Sequence, residues 1–364
     1  MKHLIVCCDG TWQSEDTGEP SNVWKLCNLL ADRDAHGAAQ RIYYQPGVGT
    51  DVSRSRLARR LSRLLGGGLG WGLDDNIKQA YRWLIREYEP GDSYWLFGFS
   101  RGAYTARSLA GLLRNCGLLE PRHEDQIDQA MRLYRARDPA SHPRAPQSRS
   151  FRRNYSRELE AIAFLGVWDT VGALGIPSSL GPVARLVNRR HQFHDVALSS
   201  RVRRACHALA IDEQRRAFQP SLWGEAAQRR GVEQVWFAGV HSDVGGGYAE
   251  AGLSDITLAW MIDRAGATGL AFDTDRVAGE LGPDALARLH DSRWLIHRVP
   301  GLSRPRRIKP GHRQFVHPSA VQRLEQADSY EAANLAAALE AGVPVLATGV
   351  EASPVGSASP APHS

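Results

Sequence analysis

The chain alternates short apolar runs with stretches in which apolar residues recur every three or four positions, the pattern of parallel strands joined by crossover helices. Runs at Leu4 to Cys8, Arg41 to Gln45, Tyr94 to Phe99, Ala161 to Trp168 and Val235 to Val240 predict strands. Several of them lack polar alternation, as strands covered on both faces do. Between them, Ser21 to Leu30 predicts a helix, with Ser21 or Asn22 as the cap ahead of Val23, Trp24, Leu26, Leu29 and Leu30. A second helix is predicted over Asp74 to Tyr88, carrying Ile77, Tyr81, Trp83 and Leu84 and stopping before Pro90-Gly91. The fold class that follows is α/β, a mostly parallel sheet with helices on both faces.

Two stretches break the alternation and are expected to be insertions. Gly47 to Gly72 joins Arg54, Arg56, Arg59, Arg60 and Arg63 with leucines at helical spacing and ends in a glycine-rich hinge. Pro121 to Arg157 is rich in Arg and Pro and contains no clear strand. From Glu351 onward Ser, Pro, Ala and Gly dominate, the composition of a disordered tail. The expected organisation is one enlarged domain over residues 1–345, with insertions at about 47–72 and 121–157 and a disordered tail over 350–364.

Composition narrows the class further. Of 364 residues 43% are hydrophobic and 23% charged, which excludes a fibrous chain, a wholly disordered chain and a disulfide miniprotein. The apolar start Leu4 to Cys8 is too short for a secretory core or a membrane span. Five cysteines without a CxxC pair fit a reducing compartment and predict no zinc site. A cytoplasmic protein without a transmembrane segment is expected, with secretion by a signal-independent route left open. The net charge of +6 is mild, and its arginines concentrate in Arg54 to Arg63, Arg149 to Arg157 and Arg304 to Arg313. All three lie beside the chemical motifs, where they would make peripheral contact with an anionic surface. Nucleic acid is not an expected partner, because no aromatics are interleaved with these arginines for base stacking.

Chemistry concentrates where strands end. Gly98-Phe99-Ser100-Arg101-Gly102 is a GxSxG pattern between a buried strand and a helical body running from Ala103 to Leu113. That context makes it a nucleophile elbow, in which only small residues fit two before and two after the serine. Ser100 then needs a base, and the base an orienting acid. Asp169 follows the strand Ala161 to Trp168, and His241 follows Val235 to Val240 ahead of Gly245-Gly246-Gly247. A second assignment pairs Asp243 with His317, in Phe315-Val316-His317-Pro318. For the oxyanion hole the candidates are the backbone amides of Gly10 or Thr11, after the first strand, and of Arg101. A competing chemistry uses Asp9 with Thr11, Asp169 or Asp243 to hold a divalent cation for phosphoester hydrolysis.

The blocks CDGTW, GFSRGAYTARSLAG, GVWDTVGALG, HALAIDEQRRAFQP and WFAGVHSDVGGGY, in that order over roughly residues 1 to 325, resemble the DUF2235 family of α/β-hydrolases, which includes type VI secretion phospholipase effectors of the Tle1 group. The resemblance implies an α/β-hydrolase fold and a Ser-His-Asp hydrolase of carboxylic esters, in the effector branch phospholipids. Ser100 matches the nucleophile block, and Asp169 and His241 lie in the aspartate and histidine blocks. Expected partners are therefore small-molecule or lipid esters, with no cofactor and no metal. A metal-dependent phosphoester hydrolase and a non-catalytic binding module on the same fold stand as the alternatives.

Overall fold

The computed structural model describes residues 1–10, 19–47, 72–136, 138–157, 160–171, 198–292 and 303–347. Most of the first insertion, Thr11 and the C-terminal tail therefore lie outside the described residues.

Seven parallel strands form one sheet in the order β2-β1-β3-β6-β7-β8-β9, where β1 is His3–Cys8, β2 Gln40–Gln45, β3 Ser93–Phe99, β6 Ile162–Trp168, β7 Val202–Ala210, β8 Val232–Phe237 and β9 Gln314–Val316. Ten α-helices accompany it among the described residues. These are α1 (Asn22–Leu29), α2 (Leu73–Glu87), α3 (Arg101–Cys116), α4 (Ile127–Arg135), α5 (Pro146–Tyr155), α6 (His241–Gly245), α7 (Gly252–Gly266), α8 (Thr274–Glu280), α9 (Pro318–Gln326) and α10 (Ala333–Glu340). The fold is α/β with a parallel seven-stranded sheet, consistent with an α/β-hydrolase.

Strand alternation sorts the core into two layers. Leu4, Val6 and Cys8 of β1 pack with Ile77, Tyr81 and Leu84 of α2 and with Ala106, Leu109 and Leu113 of α3. Ile5 and Cys7 face the other way, toward Val23 and Leu26 of α1 and Leu258 and Met261 of α7. A third cluster joins β8 and β9 to α9 and α10 through Trp236, Val316, Ala320 and Leu335. Both faces are covered, which is why the strand runs are continuously apolar.

Chain order reverses beside β1, which has β2 on one side and β3 on the other. Such a switch point opens a crevice at the C-terminal strand ends, and here Asp9-Gly10 and Ser100 meet in it. The elbow is held by backbone contact. A Cβ on Gly102 would collide with the Cys8 carbonyl, and one on Gly98 would stand 2.5 Å from the Gly102 carbonyl oxygen.

Three sequence expectations change. The strand expected over Val235 to Val240 is β8, which starts at Val232 and ends at Phe237. It ends there because Gly239 takes φ +126° and donates its N–H to Asp212 Oδ2 at 2.6 Å, turning the chain. Strand β7 was hidden by its Ala and Arg content, both weak strand signals. The insertion expected over 121–157 is mainly helical, with α4 and α5 and a two-residue strand, β5 (Ser156–Arg157), paired antiparallel with β4 (Leu118–Leu119).

Two arginines of that insertion serve backbone, while others, among them Arg149 and Arg153, are exposed as expected of a surface. Arg157 donates to the carbonyls of Ile85 and Tyr88 at the end of α2, and Arg152 to Asn115 O at the end of α3, which satisfies helix C-termini. The end of α3 lies roughly 24 Å along its axis from Ser100. Arginines there do not border the crevice.

Two glycine substitutions separate crowding from propensity. Gly102→Ala is expected to cost at least about 2 kcal/mol because backbone on both sides has to shift. Gly279→Ala, in α8 with open space around its Cβ position, is expected to be neutral or stabilising by up to ~1 kcal/mol. Urea unfolding of the two variants checks both values.

Candidate active site

Ser100 is the N-cap residue between β3 and α3, with φ +56° and ψ −117°. That backbone is unfavourable for a non-glycine residue by about 1–3 kcal/mol and has to be held by its surroundings. Ser100 N donates to Trp168 O at 3.0 Å, and Ser100 O accepts from Tyr104 N at 3.3 Å. Asp169 follows β6 directly and also has positive φ, +37°. Its N–H donates to Ala208 O at 2.8 Å, tying the turn to β7.

The structure brings three of the sequence candidates together. His241 Nε2 lies 2.9 Å from Ser100 Oγ, and His241 Nδ1 lies 2.6 Å from Asp169 Oδ2. Burial pushes the Asp169 carboxyl up, but the Arg306 charge and the His241 hydrogen bond outweigh it and hold the group well below the ordinary carboxylate range. An ionised carboxylate only accepts, so Nδ1 carries the imidazole proton and Nε2 is left to accept from the Ser100 hydroxyl. Asp169 is fully buried, whereas Ser100 retains 8% exposure, so access is through the serine side.

Aromatic rings fix the imidazole. Phe99 lies 4.7 Å and Phe218 4.9 Å from it, centroid to centroid. A side chain on Gly245 would run into the Phe99 ring, which explains the small residue four positions after His241. Gly246 and Gly247, at φ +84° and +111°, then turn the chain away.

Several neighbours of these side chains were not singled out in the sequence. The Arg306 side chain is fully buried and forks onto Asp169, with NH1 2.6 Å from Oδ1 and NH2 2.9 Å from Oδ2. The stretch Arg304 to Arg313 was expected to lie beside the motifs; Arg306 lies inside the site. Glu213, also fully buried, accepts from the His241 N–H at 3.3 Å and from Arg215 Nε at 2.9 Å. The Arg215 guanidinium in turn covers the Phe218 ring at 3.6 Å. Glu213, Arg215 and Phe218 all belong to the HALAIDEQRRAFQP block, but their roles depend on packing around His241 that linear spacing does not express.

The expected oxyanion donors divide. Arg101 is the first residue of α3, where an amide has no intrahelical acceptor. The Gly10 amide is already committed, donating to Asp9 Oδ1 at 2.6 Å. Thr11 lies outside the described residues. Asp9 Oδ2 accepts from Ser21 Oγ at 2.6 Å and Tyr44 OH at 2.7 Å, and burial raises its carboxyl to about 6 against those hydrogen bonds.

The second assignment is not brought to the serine. Asp243 Oδ2 accepts from Val240 N at 3.0 Å, capping α6, and Oδ1 lies 2.6 Å from His290 Nδ1. His317 caps α9, accepting from Ser319 N at 3.2 Å, and stacks on Phe237 at 4.5 Å. Nor do the strand-end aspartates converge as the metal-based chemistry required. Asp9, Asp169 and Asp243 each hold a different set of protein partners, and among the described residues no three His, Cys, Asp or Glu side chains form a metal-binding group.

A family model for the type VI secretion phospholipase effector Tle1-like catalytic domain matches residues 2–264. The chain belongs to this family. A curated relative, an uncharacterized protein of Saccharomyces cerevisiae, is 34% identical over 231 residues, covering 60% of this chain. The chain spans only 32% of that relative's length. Two solved structures are similar: an uncharacterized protein from Pseudomonas aeruginosa (19% identity, TM-score 0.45, 78% of this chain and 49% of that one), and the Tle1 effector bound to the VgrG spike of the type 6 secretion system (20% identity, TM-score 0.38, 69% and 52%). Ser100, Asp169 and His241 all fall inside the stretch matched to the Tle1-like catalytic domain; Arg306 falls after it. Among the described residues of this Tle1-like chain no helix is long and apolar enough to cross a membrane.

Two further histidines are held neutral by burial. His207 Nε2 accepts from Thr170 N at 3.1 Å, supporting the turn after Asp169, and burial together with the Arg107 charge lowers it to about 3. Burial and the Arg264 charge lower His317 to about 4. In a histidine NMR titration from pH 8 to pH 5 neither ring is expected to take up a proton. A ring shift at either position centred near 6.5 would contradict these environments.

Proposed function

We propose that this Tle1-like domain hydrolyses carboxylic esters, with acyl esters of phospholipids as the substrate class, through Ser100, His241 and Asp169. The observation that carries the reading is the hydrogen-bonded line from Ser100 Oγ through the imidazole to a fully buried carboxylate, set on a strand-to-helix elbow. Family membership supports hydrolase chemistry and a lipid substrate. The catalytic unit is taken as residues 1–345, because β9 extends the same sheet and Arg306 reaches the same carboxylate.

The chemistry follows from proton positions. His241 Nε2 accepts the Ser100 proton as Oγ attacks the ester carbonyl carbon. Negative charge gathers on the carbonyl oxygen, where the Arg101 amide and the N-terminus of the sixteen-residue helix α3 stabilise it. The imidazolium forms beside ionised Asp169, and its Nε2 proton passes to the departing alcohol oxygen. Water, deprotonated by the same nitrogen, then attacks the acyl-serine, and Nε2 returns that proton to Ser100 Oγ as the carboxylic acid leaves. Gly10 joins the oxyanion donors only if its amide leaves Asp9.

Ser100→Ala is expected to lower turnover on short-chain and phospholipid esters by about 10⁴–10⁶ and to abolish fluorophosphonate labelling. His241→Ala is expected to fall in the same range, while His317→Gln and Asp243→Asn retain labelling wherever they fold. Near-normal hydrolysis by Ser100→Ala would refute the nucleophile. A folded wild-type protein inert to the probe and to both ester classes would point instead to a binding module.

A further inference from the structure

Asp169 is held from two sides. His241 takes Oδ2, and Arg306 takes both oxygens in a planar fork while its NH1 also donates to Ala210 O at 2.8 Å and its NH2 to Phe218 O. The guanidinium side chain has no exposure to solvent. Its backbone is fixed as well: Arg304 N donates to Gln214 O at 2.7 Å, and Asn334 Nδ2, from α10, donates to Arg306 O at 3.2 Å. A buried arginine spending two donors on one carboxylate and two on loop carbonyls defines the plane of that carboxylate. It also joins the segment carrying Phe218 to the turn carrying Asp169.

We propose that Arg306 is a positioning residue of the hydrolytic site: its fork fixes the plane and charge of Asp169 so that Oδ2 meets His241 Nδ1. This rests on the Ser100, His241 and Asp169 reading above. In the absence of Arg306, Asp169 would be a buried charge whose remaining donors are the imidazole and the Ala210 N–H at 3.2 Å. Such a carboxylate draws a proton, either onto itself or onto the imidazole as an ion pair. Each outcome takes from Ser100 the neutral base it needs. With Arg306 present the carboxylate charge is already balanced, and Oδ2 is left to accept from Nδ1 and orient the ring.

The pH dependence has a definite sign. Among the described residues the charged or titratable groups facing the imidazole are Asp169 at the end of β6, Ser100 at the elbow, and Glu213, with Arg215 behind it, after β7. Phe99, tilted, and Phe218, edge-on, pack against the same ring without charge. Arg306 is the cation bonded to Asp169, and His207, held neutral, supports the adjoining turn. Removing the Arg306 charge removes a repulsion felt by the imidazolium and frees the full Asp169 charge to attract a proton. The acid limb of the rate profile therefore moves to higher pH.

Arg306→Lys and Arg306→Met test this in the full chain, using a short-chain chromogenic ester, with thermal unfolding as the check on folding. The Met variant is expected to lose about 10²-fold in kcat with KM changed less than about threefold, and its acid limb to rise by about 1–2 pH units. Lys keeps the charge but loses the fork, so an intermediate kcat and an unshifted acid limb are expected. If the Met variant does not fold, the Lys variant decides: a folded Arg306→Lys with wild-type kcat overturns the positioning role. Folded variants with unchanged kcat and an unchanged pH profile overturn the proposal while leaving the triad intact. Parallel measurement of Ser100→Ala separates the two, since full activity there overturns the triad reading and this proposal with it.

Discussion

The site depends on one steric contact, the passage of the first turn of α3 against the end of β1. Gly102 lies so close to the Cys8 carbonyl that no Cβ fits between them, and Gly98 is pressed as tightly against Gly102. Only this approach lets a strand turn into a helix within a single residue, and that residue, Ser100, is forced to φ +56°. Strain at the serine is thus a consequence of close packing on both sides. Because β1 lies at the reversal of strand order, the same contact puts Asp9-Gly10 and Ser100 in one crevice. The sheet supplies the rest: β6 is next to β3, so Asp169 emerges beside the elbow, tied through Ser100 N to Trp168 O.

A second condition is charge balance without water. Asp169 and Arg306 have no exposed side-chain surface and neutralise one another, which allows an ionised acid in an apolar interior. Breaking such a pair by removing one partner typically costs about 3–5 kcal/mol, most of it the penalty of an orphaned charge. Glu213 with Arg215 repeats the device one layer further out, with Glu213 accepting the His241 amide and Arg215 lying over Phe218. Among the described residues the imidazole is therefore flanked by compensated ion pairs and aromatic rings. Its freedom to rotate is small, and Ser100 is left as its accessible partner.

The elbow was legible in the sequence because GxSxG has meaning between a buried strand and a helix, and both flanks are apolar patterns. Asp169 was legible for the same reason, ending a seven-residue apolar strand. His241 was found through a boundary that was three residues too long: Gly239 ends the pairing, and the histidine opens a short helix. What escaped was everything whose role is three-dimensional. Seven of the nine residues of β7 are Ala, Arg, Cys or His, which do not announce a strand, and it becomes one because β6 and β8 offer hydrogen bonds on both sides. Arg306 sits in a Pro- and Arg-rich stretch without periodicity, 137 residues from its carboxylate. Nothing local distinguishes it from Arg304 or Arg307.

That difficulty follows from how this chain uses arginine. Four of its 45 cationic residues are lysines. Many of the arginines are donors to backbone carbonyls: Arg152 and Arg157 at helix ends, Arg229 on Val202 O, Arg323 on Ala285 O and Ala287 O. A planar guanidinium with five donors can satisfy several carbonyls while its aliphatic stem stays in the core, which an ammonium cannot match. The net charge of +6 consequently says little about the surface, because part of it is spent inside on carbonyl dipoles. Arg306 is the extreme of the same usage, with two donors on carbonyls and two on a carboxylate. A residue type that elsewhere in the chain ties carbonyls together is here tied to Asp169, the carboxylate bonded to His241.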